Sequence, residues 1–181
     1  MICSWTTMRN AGTPFCEYIN LCLHAIDSFN SCSCSAARQL KSSLIGSNKQ
    51  KNLVIRHGVV PRLLLLMQDS TPSPLKVHLA HALGSLAKGS DHHRKELIDH
   101  GVFPVLISVL ARPETCASPK LVEACLGCIR SVASHPEAPI DMIYSDDAFV
   151  PHLISLMAGP SPVNQIAVAT IFACACKVRC T

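Results

Sequence analysis

The chain has 181 residues, of which 49% are hydrophobic, 4% aromatic and 15% charged. A chain rich in aliphatic and poor in aromatic side chains favours close-packed helices over a β-sandwich, and its low charge excludes a long solvated tail. The net charge is +4, and the densest basic stretch, Lys49 to Arg56, holds three basic residues, too few to follow a phosphate backbone. We therefore expect no nucleic-acid partner.

Residues 1–30 show no repeat pattern, and we expect a non-repeat N-terminal segment that is poorly ordered. Its apolar run, Leu21 to Ile26, is too short for a secretory signal and has no basic region before it. The apolar run Leu63 to Met67 has five residues, whereas a membrane span needs about 20. The sequence thus predicts no membrane insertion, and we expect a cytoplasmic and nuclear protein with reduced cysteines.

One pattern recurs three times along the rest of the chain. Each copy has a short apolar segment, a proline within an aliphatic run, a polar break and a longer apolar segment. The prolines are Pro61, Pro104 and Pro151, which lie 43 and 47 residues apart. Proline fits the first turn of a helix, where its missing N–H would have no partner, and Gly58 and Gly101 suit the left-handed end of the preceding helix. Each copy therefore predicts a short helix, a second helix and a long third helix.

The predicted long helices cover residues 75–88, 121–134 and 163–177, and a related half-unit at residues 36–46 precedes them. A single three-helix unit cannot bury both of its faces, whereas stacked units form a continuous core. A period in the forties built of three helices is typical of armadillo repeats. The sequence thus predicts an all-α fold, an armadillo-type right-handed α-solenoid of three repeats plus a preceding half-repeat.

The predicted boundaries follow from this period. They give a non-repeat segment at 1–30, a partial repeat at 31–47, and armadillo repeats at 48–90, 91–138 and 139–178. In the last predicted helix we expect Ile166, Ile171 and Phe172 to face outward with only a short tail to cover them. Exposure of several such side chains predicts marginal stability or self-association.

Several runs resemble the N-terminal repeats of the armadillo subunit of CTLH/GID-type ubiquitin ligases. The runs are Ile45 to Leu53, Leu83 to Ala87 and Glu123 to Arg130, and the similarity extends over residues 36–177. It implies a non-catalytic scaffold that binds other subunits of such a ligase and supports proteasome-dependent degradation of substrates. Residues 1–30 and the four residues after Lys177 depart from the family's pattern, as in a fragment or variant.

Some armadillo proteins bind extended peptides along their third helices, and in importin-α-like members Asn and Trp recur there. The alignment puts Ser85 and Ser131 at the Asn position and His81 at a Trp position, and the single tryptophan, Trp5, lies outside the repeats. Ser cannot hold a peptide amide with two hydrogen bonds as Asn does. The ladder of Asn and Trp that binds nuclear signals is therefore absent, which argues against an importin-like function. The alternative to the scaffold is a stand-alone peptide-binding adaptor of the nuclear-transport or adhesion type. The predicted concave-face protein contacts are His81, Ser85, Arg130 and Ser131.

Cysteine and histidine are the candidates for metal or redox chemistry. Cys125 and Cys128 form a CxxC pair on a predicted helix, which supplies at most two zinc ligands and has no preceding strand as thioredoxin-type sites do. Asp91 precedes two adjacent histidines, and we interpret it as the N-cap of a helix over residues 92–100. Motifs of serine hydrolases, dinucleotide sites and P-loops are absent from the sequence. We expect no enzyme activity, metal, cofactor or small-molecule substrate.

Overall fold

The computed structural model describes residues 14–28, 32–68 and 71–179, and it contains no strand among them. Two helices form its N-terminal part, α1 (Phe15–Asp27) and α2 (Ser33–Ser43). Helix α1 buries Ile19, Leu23 and Ile26, which share one face of the helix, against α2. We expected residues 1–30 to be poorly ordered, and residues 14–28 differ because this apolar face finds a partner in α2. Residues 1–13 and 29–30 lie outside the described residues.

The first full repeat consists of three helices, as the sequence predicts. They are α3 (Asn48–Arg56), α4 (Val59–Gln68) and α5 (Ser73–Ala87). Gly58 separates the first two with φ +66°, a left-handed conformation that residues with a Cβ rarely adopt. The long helix α5 is buried along most of its length, and it packs against α2 on one side.

The second repeat repeats this arrangement with one addition. Its helices are α6 (Asp91–Asp99), α7 (Val102–Leu110), α8 (Pro113–Cys116) and α9 (Pro119–Ala133). Gly101, with φ +78°, turns the chain between α6 and α7 as Gly58 does in the first repeat. The segment predicted as a polar break contains the short helix α8, where the Thr115 hydroxyl donates a 2.6 Å hydrogen bond to the Val109 carbonyl.

The third repeat begins with a 3₁₀-helix (Ile140–Tyr144) in place of the short helix, followed by α10 (Phe149–Ala158) and α11 (Pro162–Arg179). Pro139 immediately precedes this turn. Of the three side chains expected to face outward, Ile166 is 58% exposed, whereas Ile171 is fully buried and Phe172 is partly buried. The expectation was wrong for Ile171, because that side of α11 packs against α9 and α10.

Equivalent helices stack on one another from repeat to repeat. Helix α3 packs on α6 and α4 packs on α7, while α2, α5, α9 and α11 form a row of neighbouring long helices. One continuous hydrophobic core runs through all of them. These contacts confirm the predicted helical solenoid. In the part of the chain that the structure describes, no helix combines the length and the apolarity that crossing a membrane requires.

Candidate protein-binding groove

The row of long helices carries a depression of about 290 Å³ on its surface, bounded by α2, α5, α9 and α11. Its polar rim consists of Lys41, His81, Ser85, Lys88, Glu123 and Arg130, and we call this depression the groove. Four of these six side chains carry or can carry positive charge. The rim of the groove is therefore mostly basic and contains a single carboxylate, Glu123.

Small residues form the floor of the groove. Gly84 on α5 faces the backbone of α9, where a Cβ at position 84 would lie 3.7 Å from the Cα of Cys128. At Gly127 a Cβ would meet nothing within 4 Å, so this position opens directly onto the groove. Both glycines belong to its lining. A bound chain can therefore approach the helix backbone closely at Gly127, whereas the buried Gly84 lets α5 and α9 pack closely together.

The structure brings three of the four predicted contact residues together. His81, Ser85 and Arg130 line the groove, whereas Ser131 lies on α9 but does not contribute to the lining. The Ser85 hydroxyl donates a 2.8 Å hydrogen bond to the His81 carbonyl, and the Ser131 hydroxyl donates one of 2.9 Å to the Gly127 carbonyl. Because each hydroxyl proton is bound to its own helix, these serines offer a partner only acceptor lone pairs.

Sequence reasoning missed Lys41, Lys88 and Glu123 in the groove. A signal for Lys88 exists in the sequence, because it continues a line of residues at positions 78, 81 and 85, which share one face of α5. The same spacing recurs on α9 at positions 120, 123, 127 and 130. Lys41 has no comparable signal, since it lies on the half-repeat and meets the others only through helix stacking.

A second depression extends the basic surface along the same helices. It is lined by residues of α2, α5 and α9, among them Arg38, His78 and Lys120. Burial lowers the pKa of His78, and the nearby charges of Arg38, His81 and Lys41 lower it further. Burial likewise lowers the pKa of His81, as do Lys41 and Lys88, against an opposing effect of Glu123. Both imidazoles are therefore neutral near pH 7, and the lysines and arginines carry the positive charge.

The CxxC pair is a packing element of α9. Cys125 and Cys128 are both buried, and burial raises the pKa of the Cys125 thiol to about 12 and raises that of Cys128 as well. Both thiols are consequently protonated at neutral pH and are poor nucleophiles. Among the residues that the structure describes, no three His, Cys, Asp or Glu side chains are grouped to hold a metal ion.

The interpretation of Asp91 as an N-cap was wrong by one residue. Ser90 occupies the cap position of α6, and its backbone N–H donates a 2.8 Å hydrogen bond to Nδ1 of His93. Asp91 is the first helical residue and forms an ion pair with Arg94. The ring of His93 caps this helix in place of the carboxylate, because it is buried beside the helix start whereas Asp91 points to solvent.

Comparison with curated proteins finds relatives that share most of this chain. Armadillo repeat-containing protein 8 of Mus musculus is 40% identical over 139 residues, which cover 76% of this chain and 20% of that protein. The chain thus spans about a fifth of the length of this relative. Importin subunit alpha of Saccharomyces cerevisiae is 36% identical over 59 residues, covering 33% of this chain and 11% of the importin. The chain matches no protein-family model.

Solved structures agree on the fold. A computationally designed armadillo repeat protein for modular peptide recognition superimposes with a TM-score of 0.70 and 20% identity, covering 85% of this chain and 63% of its own. A designed armadillo repeat protein in complex with the peptide (KR)4 gives a TM-score of 0.66 and 21% identity, covering 84% and 63%. At such identities the likeness establishes the armadillo solenoid and nothing further.

Proposed function

Since this chain is an armadillo repeat protein homologous to armadillo repeat-containing protein 8, we propose that it is a non-catalytic scaffold of a CTLH/GID-type ubiquitin ligase. In this role it holds other subunits of the ligase and so supports proteasome-dependent degradation of substrates. The scaffold would operate in both the cytoplasm and the nucleus. The armadillo fold and the homology to armadillo repeat-containing protein 8 support a role in protein interaction.

The observation that carries the proposal is the extent of similarity to armadillo repeat-containing protein 8. The match covers 139 residues at 40% identity, a length of about three armadillo repeats, and it is not confined to a single repeat. Generic solenoid packing requires only a pattern of aliphatic side chains, which many different residues can supply. Identity at this level over consecutive repeats therefore indicates more than a shared packing pattern and supports a related role.

The candidate nucleophiles in and near the groove favour binding over catalysis. The hydroxyl protons of Ser85 and Ser131 are bound to carbonyls of their own helices, and neither serine has a basic side chain at hydrogen-bond distance among the described residues. The thiols of Cys125 and Cys128 are held protonated by burial. A nucleophile needs an adjacent base or a lowered pKa, and these four candidates have neither.

Affinity purification tests the proposal. An epitope-tagged copy of the whole chain, expressed in cells of its source, is expected to recover ligase subunits identified by mass spectrometry. A designed armadillo repeat protein of similar size, carrying the same tag, is the control for solenoids that bind nonspecifically. Recovery of no ligase subunit above that control would refute the proposal, and fluorescence imaging of the tagged chain tests the two compartments.

The similarity to importin subunit alpha favours a second candidate, a stand-alone adaptor that binds peptides. The charge of the groove argues against an importin-like preference for basic peptides, because Lys41, Lys88 and Arg130 would repel them. Binding of a basic peptide such as (KR)4 by the isolated chain would favour this candidate. If the isolated chain does not bind (KR)4 and the tagged chain recovers ligase subunits, the scaffold function is favoured.

A further inference from the structure

Acidic and basic residues are segregated in this molecule. The four long helices α2, α5, α9 and α11 contain one carboxylate, Glu123, out of the 12 acidic residues of the chain. Some basic side chains outside this row are paired with acids, as Arg62 is with Asp27 and Lys95 with Glu137. The row of long helices has an excess of positive charge, and so, on a smaller scale, does the short helix α3.

Five basic side chains that line the two depressions form no ion pairs within the described residues. They are Arg38, Lys41, Lys88, Lys120 and Arg130. Glu123 lies among them, near His81, but it is one carboxylate against five permanent cations. Burial lowers the pKa of a further cation, Lys51, and the nearby charge of Lys88 lowers it further. Such unneutralised charge is an attractive surface for an anionic partner.

The polar side chains of the two depressions are arranged along and across the helices. His78, His81 and Lys88 lie at spacings of three and seven residues along α5, a line about 15 Å long. Helices that pack side by side have axes about 8–10 Å apart, so the row from α2 through α5 to α9 is about 20 Å wide. An extended chain of about six residues spans that distance. The groove therefore matches a short extended segment in length.

Two features of the lining favour a peptide over a nucleic acid. None of the described residues that line the two depressions is Phe, Tyr or Trp, whereas single-stranded nucleic acids are held by stacking on aromatic rings. The cations are also distributed one or two per helix, without the continuous density that follows a phosphate backbone. The open position at Gly127 admits a polypeptide backbone instead.

We propose that the groove binds an extended acidic segment of a partner protein, with Lys41, Lys88 and Arg130 neutralising its carboxylates. This inference rests on the proposed scaffold function and specifies the chemistry of one partner. It is opposite in charge to the peptide (KR)4 that the designed armadillo protein binds. The carboxylates of the segment meet the cations of the rim, while its backbone lies over Gly127.

Fluorescence anisotropy with labelled peptides tests the charge preference on the whole chain. The peptide (DE)4 is expected to bind at roughly 50 mM salt and to lose most of its affinity at roughly 500 mM, because salt screens exposed charges. The peptide (KR)4 is the matched control of equal length and opposite charge, and we expect no saturable binding. Equal or tighter binding of (KR)4 would overturn the inference, and so would the absence of (DE)4 binding at low salt.

Charge reversal locates the site. The double variant Lys88→Glu with Arg130→Glu is expected to bind (DE)4 about tenfold more weakly or worse. The double variant Lys49→Glu with Arg56→Glu changes the net charge equally but at exposed positions of α3 outside the groove, so we expect a change below about threefold. Equal losses in the two variants would show general electrostatic attraction and would refute a groove-specific site.

A labelled single-stranded DNA octamer tests whether the groove binds nucleic acid instead of an acidic peptide. Tighter binding of this oligonucleotide than of (DE)4, with loss in the groove variant, would assign the groove to nucleic acid and overturn the inference. Circular dichroism of each variant checks the fold, and the comparison of (DE)4 with (KR)4 on the unmodified chain stands even if a variant fails to fold. Failure of (DE)4 binding leaves the recovery of ligase subunits from cells as a separate result, so the two proposals can fail independently.

Discussion

The imidazole of His93 connects two neighbouring repeats through a hydrogen bond to Asn52. Its Nε2 lies 2.8 Å from Oδ1 of Asn52 on α3, and its Nδ1 accepts the backbone N–H of Ser90 at 2.8 Å. Because a backbone N–H can only donate, Nδ1 carries no proton and Nε2 is the donor to Asn52. The side chain is 1% exposed. The neutral tautomer of His93 thus ties the start of α6 to the preceding repeat.

Gly89 is predicted to be required because of this histidine. A Cβ at position 89 would overlap ring atoms of His93, and the two hydrogen bonds of the ring prevent it from moving aside. We expect Gly89→Ala to lower the free energy of unfolding by about 1–3 kcal/mol. In the background of His93→Ala the space is open, so the same substitution should cost about 0.5 kcal/mol or less. Urea denaturation of the four proteins measures the coupling, and equal costs in both backgrounds would contradict the steric explanation.

Stability is expected to fall as the pH is lowered through the range of histidine. Burial lowers the pKa of His93, and the neighbouring charges of Lys51, His92 and Arg94 lower it further. Since its pKa is lower in the folded chain than the ordinary value of 6.5, the unfolded chain takes up the proton first. The contribution is therefore complete above about pH 6.5 and is lost progressively as the pH decreases below it.

Thermal unfolding between pH 7.5 and pH 5 measures this dependence. We expect a smaller loss of stability in His93→Gln than in the unmodified chain, because glutamine does not titrate. The exposed His24 on α1 provides the matched control, and His24→Gln should keep the original dependence. If His93→Gln and His24→Gln have the same pH dependence as the unmodified chain, protonation of His93 does not control stability.

Thiol reactivity is expected to divide the cysteines into two classes. Burial raises the pKa of Cys22 to about 11 and that of Cys125 to about 12, and Cys128 is also buried with a raised pKa. Cys116 and Cys176 are exposed. Alkylation at pH 8 followed by peptide mapping should modify the two exposed thiols first and reach the three buried ones only after unfolding. Early modification of Cys125 or Cys128 would indicate that α9 opens locally.

Self-association is expected through the apolar side chains of α10 and α11. Ile154 is 49% exposed and Ile166 is 58% exposed on these two helices, which pack against each other. Substituting both with lysine should reduce the fraction of oligomer in sedimentation velocity, because it removes the apolar area that favours contact. Leu65 on α4 is 59% exposed, and Leu65→Lys is the control for adding a charge elsewhere. A monomeric unmodified chain at high concentration would refute the expectation.

The helices of the repeats could be predicted from local pattern alone. Pro61, Pro104 and the left-handed Gly58 and Gly101 lie at the predicted turns, since their backbone preferences do not depend on distant contacts. The helix α1 could also have been predicted, because its buried residues follow helical spacing. It was missed since it has no counterpart among the repeats.

The amino-acid sequence by itself determined the repeat, the helices and the aliphatic core, because each depends on residues within a few turns of one another. Only the tertiary structure decided which side chains share the groove. Lys41, Lys88 and Arg130 are more than forty residues apart in the chain, and helix stacking brings them together. The orientation of a helix about its axis depends on its neighbours, which is why Ile171 is buried and why His93, instead of Asp91, caps α6.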